Sequence, residues 1–234
     1  MILSVSRRTD IPAFYMPWFM NRLREGYVMV RNPMNYHQVS RVSLSPEVID
    51  CMVFWTKNAI PLTPHLGEIA LQYPFYIQYT LNPYGRDLEP GLPPLAQRLA
   101  SACAIAEQFG SKHVVWRYDP IMLTEQYTAD WHIEQFAAMA DALKGSARDC
   151  VFSFVDLYDK VQANLRGLGV RICSDGEMDR IAAAHLCGEG GSAAVWHRPR
   201  LLRGRGFDRG TDRLDDGSEE GPEPAPGMRL PGEH

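Results

Sequence analysis

PFYIQYT (Pro74–Thr80), PPLAQRLASACAIAEQFG (Pro93–Gly110) and HVVWRY (His113–Tyr118) together decide the fold. The outer two runs are rich in β-branched and aromatic residues and have strand length. The middle run sets Leu95, Leu99, Ala102, Cys103, Ala106 and Phe109 on one helical face and stops at Gly110. Strand, helix, strand is a βα unit, and such units build a mainly parallel sheet. Downstream the pattern repeats. TADWHIEQFAAMADALKG (Thr128–Gly145) has Thr128 as N-cap candidate and an apolar stripe of Ile133, Phe136, Ala137, Ala140 and Leu143, and CVFSFV (Cys150–Val155) follows as a strand. Upstream lie ILSV (Ile2–Val5), YVMV (Tyr27–Val30), QVSRV (Gln38–Val42) and CMVFW (Cys51–Trp55). Pro17 suits a first helical turn that Gly26 closes, and Tyr27 to Val42 is open to reading as an inserted hairpin around RNPMN (Arg31–Asn35).

Five or more right-handed βα units tend to curl into a barrel. The expected class is therefore α/β: a mainly parallel sheet in a TIM-like, partial β/α barrel, over residues 1–187 as one domain. An open doubly wound sheet is the alternative. The first strand is followed by SRRTD (Ser6–Asp10) and not by a Gly-rich phosphate loop, which counts against dinucleotide binding.

Of the 234 residues, 45% are apolar, ordinary for a globular core, and a net charge of −4 gives no general attraction to nucleic acid or anionic lipid. MILSVSRRTD (Met1–Asp10) has no signal-peptide apolar region, and no apolar run approaches the length of a membrane span. A cytoplasmic protein with no membrane partner is expected. Cys51, Cys103, Cys150, Cys173 and Cys187 stand far apart without a CxxC pair, so they read as reduced thiols and not as a zinc site or disulfide framework.

Polar residues end nearly every β run. Arg7, Arg8, Thr9 and Asp10 follow the first, Thr56, Lys57 and Asn58 the fourth, Thr80 and Asn82 the fifth, Arg117 and Asp119 the sixth, and Asp156 the seventh. The carboxyl ends of barrel strands converge on one rim, where ligands bind. Alternation places Ser4, Ser6 and Arg8 on one face, likewise Gln78 with Thr80 and Arg117 with Asp119, while Leu3, Val5, Ile77, Tyr79, Val114 and Trp116 take the other. The candidate pocket is Arg8, Asp10, Lys57, Asn58, Thr80, Asn82, Arg117, Asp119 and Asp156, with no catalytic role assigned. A buried Arg117 requires either Asp119 or a ligand anion. The bland alternative is that these charges close the rim as ion pairs. His37, His65, His113 and His132 share no metal-ligand spacing and read as core or surface residues.

Beyond Cys187 the sequence changes character. Residues 188–234 hold about half of all glycines and show neither helical nor strand periodicity. So polar a segment does not bury enough apolar area to offset about 1–2 kcal/mol of backbone entropy per residue. It is either a disordered tail or a frameshift.

SVSRRTDIPAFY, YVMVRNPMN, QVSRVSLSPEVIDCMVFWTKN, VVWRYDPI and FSFVDLYDK resemble domain of unknown function family 1848, over roughly Met1 to Asp179. The resemblance implies a barrel whose C-terminal cysteines, a C-G-C element after K-K-D-x-N-Q-R and a later cysteine-rich segment, are similar to the motif holding a 4Fe-4S cluster in radical S-adenosylmethionine (AdoMet) enzymes. This chain has neither element. Shifted by one nucleotide, SEEGPEPAPGMRLPGEH (Ser218–His234) can encode AKKDRNQRPECGCLG, and HRPRLLRG (His197–Gly204) can encode IDLASYGV, which resembles the segment before the family's final cysteines. Two matches in one shifted frame point to a frameshift between about Asp175 and Trp196.

The leading reading is therefore a radical-SAM-like iron–sulfur barrel, inactive as written. No cofactor is expected in this chain, while a 4Fe-4S cluster and AdoMet are implied for an intact relative. One alternative is a cluster-independent barrel enzyme that clamps an anionic small molecule with Arg8, Lys57 and Arg117. Another is a non-catalytic binding module using Arg7, Arg8, Arg31, Arg41 and exposed aromatics. Net acidity argues against nucleic acid as its partner.

Overall fold

The computed structural model describes residues 1–6, 8–155 and 169–186, and the backbone of 193–196. Its core is one six-stranded sheet in the order β1-β4-β5-β6-β7-β8, with a separate hairpin of β2 and β3. The sheet strands are β1 (Ile2–Val5), β4 (Cys51–Thr56), β5 (Phe75–Thr80), β6 (Val114–Ile121), β7 (Asp149–Phe154) and β8 (Ala193–Trp196). Every neighbouring pair is parallel. This bears out the mainly parallel α/β reading. Successive strands are added on the same side without reversal, the order of a singly wound sheet and not of a doubly wound one, whose order reverses at a switch point. Among the described residues β1 and β8 do not pair with each other.

The hairpin is also as the turn residues suggest. β2 (Tyr27–Arg31) and β3 (Val39–Ser43) pair antiparallel, Tyr27 opposite Ser43 and Arg31 opposite Val39. It follows directly on α2 (Met16–Glu25), which begins with Pro17 and ends at Gly26 in a left-handed conformation (φ 75°). That conformation is open to glycine without the Cβ clash other residues meet. The short α1 (Ile11–Phe14) precedes α2 and is capped by Asp10, whose carboxylate accepts from the Ala13 amide at 2.9 Å.

Right-handed crossovers between strands added in one direction place the connecting helices on one face. These are α3 (Leu66–Ala70), α4 (Leu95–Phe109), α5 (Ala129–Ala142) and α6 (Asp175–Leu186). Burial follows the alternation read from the sequence. Phe75, Ile77 and Tyr79 of β5, Val114, Trp116 and Tyr118 of β6, and Cys150, Phe152 and Phe154 of β7 all lie in the core. The intervening residues are half-buried and face the opposite side.

Three details differ from the sequence reading. On α5 the buried file is Ala129, His132, Phe136 and Met139, with Ile133 and Ala140 only at its margin. The stripe is rotated because His132, polar by type, has a partner inside: its Nδ1 lies 2.8 Å from the Tyr118 hydroxyl and its Nε2 3.0 Å from the Met122 carbonyl oxygen. On α4, Arg98 and Ile105 are buried on the apolar face. Past Cys187, the four residues of β8 pair in register with β7, inside the stretch without evident periodicity. The first two residues of β8 are alanines, which carry little strand preference. The remainder of that stretch, residues 188–192 and 197–234, lies outside the described residues, as do Arg7, Asp156 and Cys187.

Candidate functional site

The carboxyl ends of β4, β5 and β6 meet in a polar network centred on Asn82, 1% exposed and two residues beyond β5. Its Nδ2 donates to the Asp119 carbonyl at 3.0 Å, and its Oδ1 accepts from the Asp119 amide at 3.0 Å. This reciprocal pair locks the end of β5 to the end of β6. The same Nδ2 lies 3.5 Å from Glu89 Oε1, and the Asn82 carbonyl accepts from Arg98 Nη2 at 3.2 Å. Lys57, at the end of β4, donates from Nζ to Glu89 Oε1 at 2.7 Å. Arg98 approaches the other carboxylate oxygen of Glu89 at 3.7 Å. Glu89 Oε2 and Arg98 Nη1 are buried without a hydrogen-bond partner. Burial pulls the Arg98 pKa down, and the Glu89 carboxylate partly offsets this.

Asp10 ties in the first strand. Its Oδ2 accepts from the Thr56 hydroxyl at 2.9 Å and from the Lys57 amide at 2.8 Å, so one carboxylate caps α1 and fixes the turn after β4. Asn58 shapes that turn, its Oδ1 accepting from the Ile60 amide at 3.2 Å. Asp10 and Asn58 therefore act on backbone geometry.

The open face of the sheet carries a second chain of contacts. Arg117 is paired with Asp119, with Nε at 3.1 Å from Oδ2 and Nη2 on the same oxygen. Its guanidinium sits 5.0 Å over the Trp55 ring, and Nη1 lies 3.5 Å from Gln78 Oε1. Asp119 Oδ1 accepts from the Ser153 hydroxyl. Thr80, half-buried, is in register with Arg117. Strand alternation brings Gln78, Arg117, Asp119 and Ser153, all half-buried, to one face, where the exposed Trp55 meets the Arg117 guanidinium. Of the two partners Arg117 requires, Asp119 is the one present.

Of the nine expected pocket residues, Lys57, Asn82, Arg117 and Asp119 belong to these linked networks, Asp10 and Asn58 support them, and Thr80 adjoins. Asp156 lies outside the described residues. Arg8 is elsewhere: its Nη2 donates to the Arg31 carbonyl, beside the hairpin. Lys57 and Arg117 each already hold a carboxylate, so the described contacts do not form the three-residue anion clamp. Glu89, Arg98, Trp55 and Ser153 were not singled out from the sequence. Arg98 had a signal, because it falls between Leu95 and Ala102 on the apolar face of α4. Ser153 and Trp55 were findable by strand parity. Glu89 stands in an irregular loop and carried none.

A 4Fe-4S cluster is held by thiolates at local spacing. Among the described residues no three His, Cys, Asp or Glu side chains form a metal-holding group. Cys150 is buried on the helix side with its thiol pKa pushed up by burial, and Cys173 is pushed up to about 11 by the same cause. The described cysteines therefore do not form the local set of thiolates that a cluster needs. No described helix is long and apolar enough to cross a membrane.

The fold defines a class. The chain is similar in structure to spore photoproduct lyase complexed with dinucleoside spore photoproduct, at TM-score 0.56 and 14% identity, covering 84% of this chain and 61% of that one. A mutant form of that lyase with bound AdoMet and dinucleoside spore photoproduct gives TM-score 0.54 and 14% identity, over 83% of this chain and 60% of that one. The chain thus spans about three fifths of the length of these lyases, and at this identity the likeness is one of fold. It agrees with the mainly parallel α/β fold expected from the sequence. The chain itself belongs to the family described as domain of unknown function DUF1848, whose profile matches residues 2–187. No curated protein matches it.

Proposed function

We propose that this chain carries the ligand-orienting part of a radical-SAM-like partial barrel and that, as written, it holds no iron–sulfur cluster and is inactive in radical chemistry. The observation that carries this reading is the strand-end network around Asn82. Both signs of charge stand there, Lys57 with Glu89 and Arg117 with Asp119, on strands whose order is that of a barrel wall. A rim of mixed sign suits a zwitterionic ligand such as AdoMet, which brings its own ammonium and carboxylate, better than a simple anion. Lys57, Arg117 and Asp119 are the residues that would touch it, and the buried Asn82 is the joint behind them. Asp10, Glu89 and Arg98 hold them in place.

The sequence supports inactivity, because its five cysteines include no local set of three. A frame change explains the loss. The family match to residue 187 and the shifted-frame strings beyond His197 support a change between about Asp175 and Trp196.

The test is anaerobic iron–sulfide reconstitution of two proteins, the chain as written and the chain with a one-base correction in that window. Only the corrected chain is expected to bind iron and sulfide stoichiometrically and turn brown. Cluster assembly by the chain as written would overturn the reading. Sequencing the encoding DNA gives an independent check: a restored KKD…CGC element supports the frame change, and its absence in every frame removes it.

A further inference from the structure

A cavity of about 440 Å³ lies between β1, α2 and the β2–β3 hairpin, and its lining shares no residue with the Asn82 network. Its walls are mainly apolar, with Phe19 from α2, Val28 and Met29 from β2 and Val42 from β3 among them. Three arginines, Arg8, Arg22 and Arg31, also line it, and among the described residues no Asp or Glu does. None of the three forms a salt bridge among the described residues. Arg8 donates to the Arg31 carbonyl, and Arg31 donates to the Tyr36 carbonyl and lies 4.1 Å over the Tyr36 ring. Those two are positioned by neutral groups that leave their charge uncompensated. Arg22 is less satisfied still, because its Nε is buried without a hydrogen-bond partner.

Apolar walls and unpaired positive charge make opposite demands on a ligand. The walls favour a hydrocarbon or aromatic body, and the guanidiniums favour an oxyanion, which matches their fork of donors and gains strength where water is excluded. A volume of this size is within the ordinary range of small-molecule sites. We propose that this cavity binds a small amphipathic oxyanion, its apolar body against Phe19, Val28 and Val42 and its headgroup on Arg22, with Arg8 and Arg31 adding positive field. The site is distinct from the strand-end network and does not depend on the function proposed for it. A carboxylate and a phosphate share the required chemistry, and the probes separate them.

The test uses the full chain and four eight-carbon probes: octanoate, octyl phosphate, 1-octanol and octyltrimethylammonium. Binding is followed by calorimetry and by tryptophan fluorescence, since Trp18 lines the cavity. At least one anionic probe is expected to bind about tenfold or more tightly than 1-octanol, with the cation weakest and the anion's affinity falling as salt rises. Comparing octanoate with octyl phosphate identifies the preferred headgroup. Arg22→Gln is expected to lower anion affinity about tenfold at an unchanged circular dichroism spectrum, and Arg22→Lys to restore part of it. Met29→Trp, at a position 54% exposed and so tolerant of a larger ring, is expected to fill the cavity and abolish binding even if the Arg22 variants fold poorly. Equal affinity for 1-octanol, indifference to both Arg22→Gln and Met29→Trp, or no binding by any anionic probe overturns the proposal.

Discussion

Glu89 and Arg98 stand 3.7 Å apart with both side chains almost wholly inside, and each leaves one polar atom without a hydrogen bond. A buried pair of this kind is costly to break and cheap to replace as a unit. Glu89→Ala leaves the Arg98 charge uncompensated and is expected to destabilise the fold by about 3–5 kcal/mol. The double change Glu89→Leu with Arg98→Met is expected to cost clearly less, in urea unfolding followed by circular dichroism. A double variant as unstable as the single one would sink this account. Lys57 and Asp119 were legible because they terminate β runs. The partners that make them a network were harder to see, since the meeting of Glu89 with Lys57, 32 residues away, is a product of tertiary folding.

At the scale of elements, α5 and α6 meet through histidine. His185 of α6 stacks on Phe136 of α5 at 3.6 Å between ring centroids, and among the described residues no partner meets either ring nitrogen at hydrogen-bonding geometry. Burial is the main cause that pushes its pKa down to about 3; nearby His132 adds to this and the Ile181 carbonyl offsets it a little. Burial likewise holds His132 at about 4, with the Met122 carbonyl as a partial offset. In the unfolded chain both titrate near the ordinary value of about 6.5. The unfolded state therefore binds more protons between those limits, so this contribution to stability is complete above pH ~6.5 and is lost as pH falls toward the folded values. Urea midpoints are expected to drop between pH 7 and pH 4. His185→Leu, which keeps the apolar contact and gives up no hydrogen bond, is expected to be at least as stable at pH 7 and to lose less on acidification. A parallel decline in both proteins would count against the assignment. Tyr118→Phe removes the hydroxyl beside His132 Nδ1 and is expected to cost about 1–3 kcal/mol in the same assay. The apolar periodicity of α5 was readable from the sequence, but its rotation was not, because the Tyr118 hydroxyl that receives His132 is brought there only by packing.

For the whole molecule the consequence of a singly wound sheet is that each unit covers the one before it. Met178, Ile181 and Ala182 of α6 join the same core as Phe136, Phe152 and Phe154. A chain ended after Val155 uncovers that aromatic surface. It is expected to bind the dye anilinonaphthalenesulfonate more strongly than the full chain and to unfold at lower urea. Unchanged dye binding and an unchanged midpoint would show that α6 and β8 contribute little. The βα order was legible because strand and helix periods differ, and the hairpin because its turn residues are distinctive. The run at Ala193–Trp196 was not, because four residues become a strand only where β7 offers an edge.

The succession of strands and helices, the face each strand turns inward, the family, and the polar residues at the strand ends were legible in the chain, because these follow from local periodicity and from long matching strings. The absence of a local set of cysteines was legible in the same way. Which charges neutralise one another, which arginines remain unpaired around a cavity, and the burial of His132 and His185 emerged with packing. Those outcomes depend on Coulomb and desolvation energies between residues far apart in the chain, which are defined only once packing has brought them together.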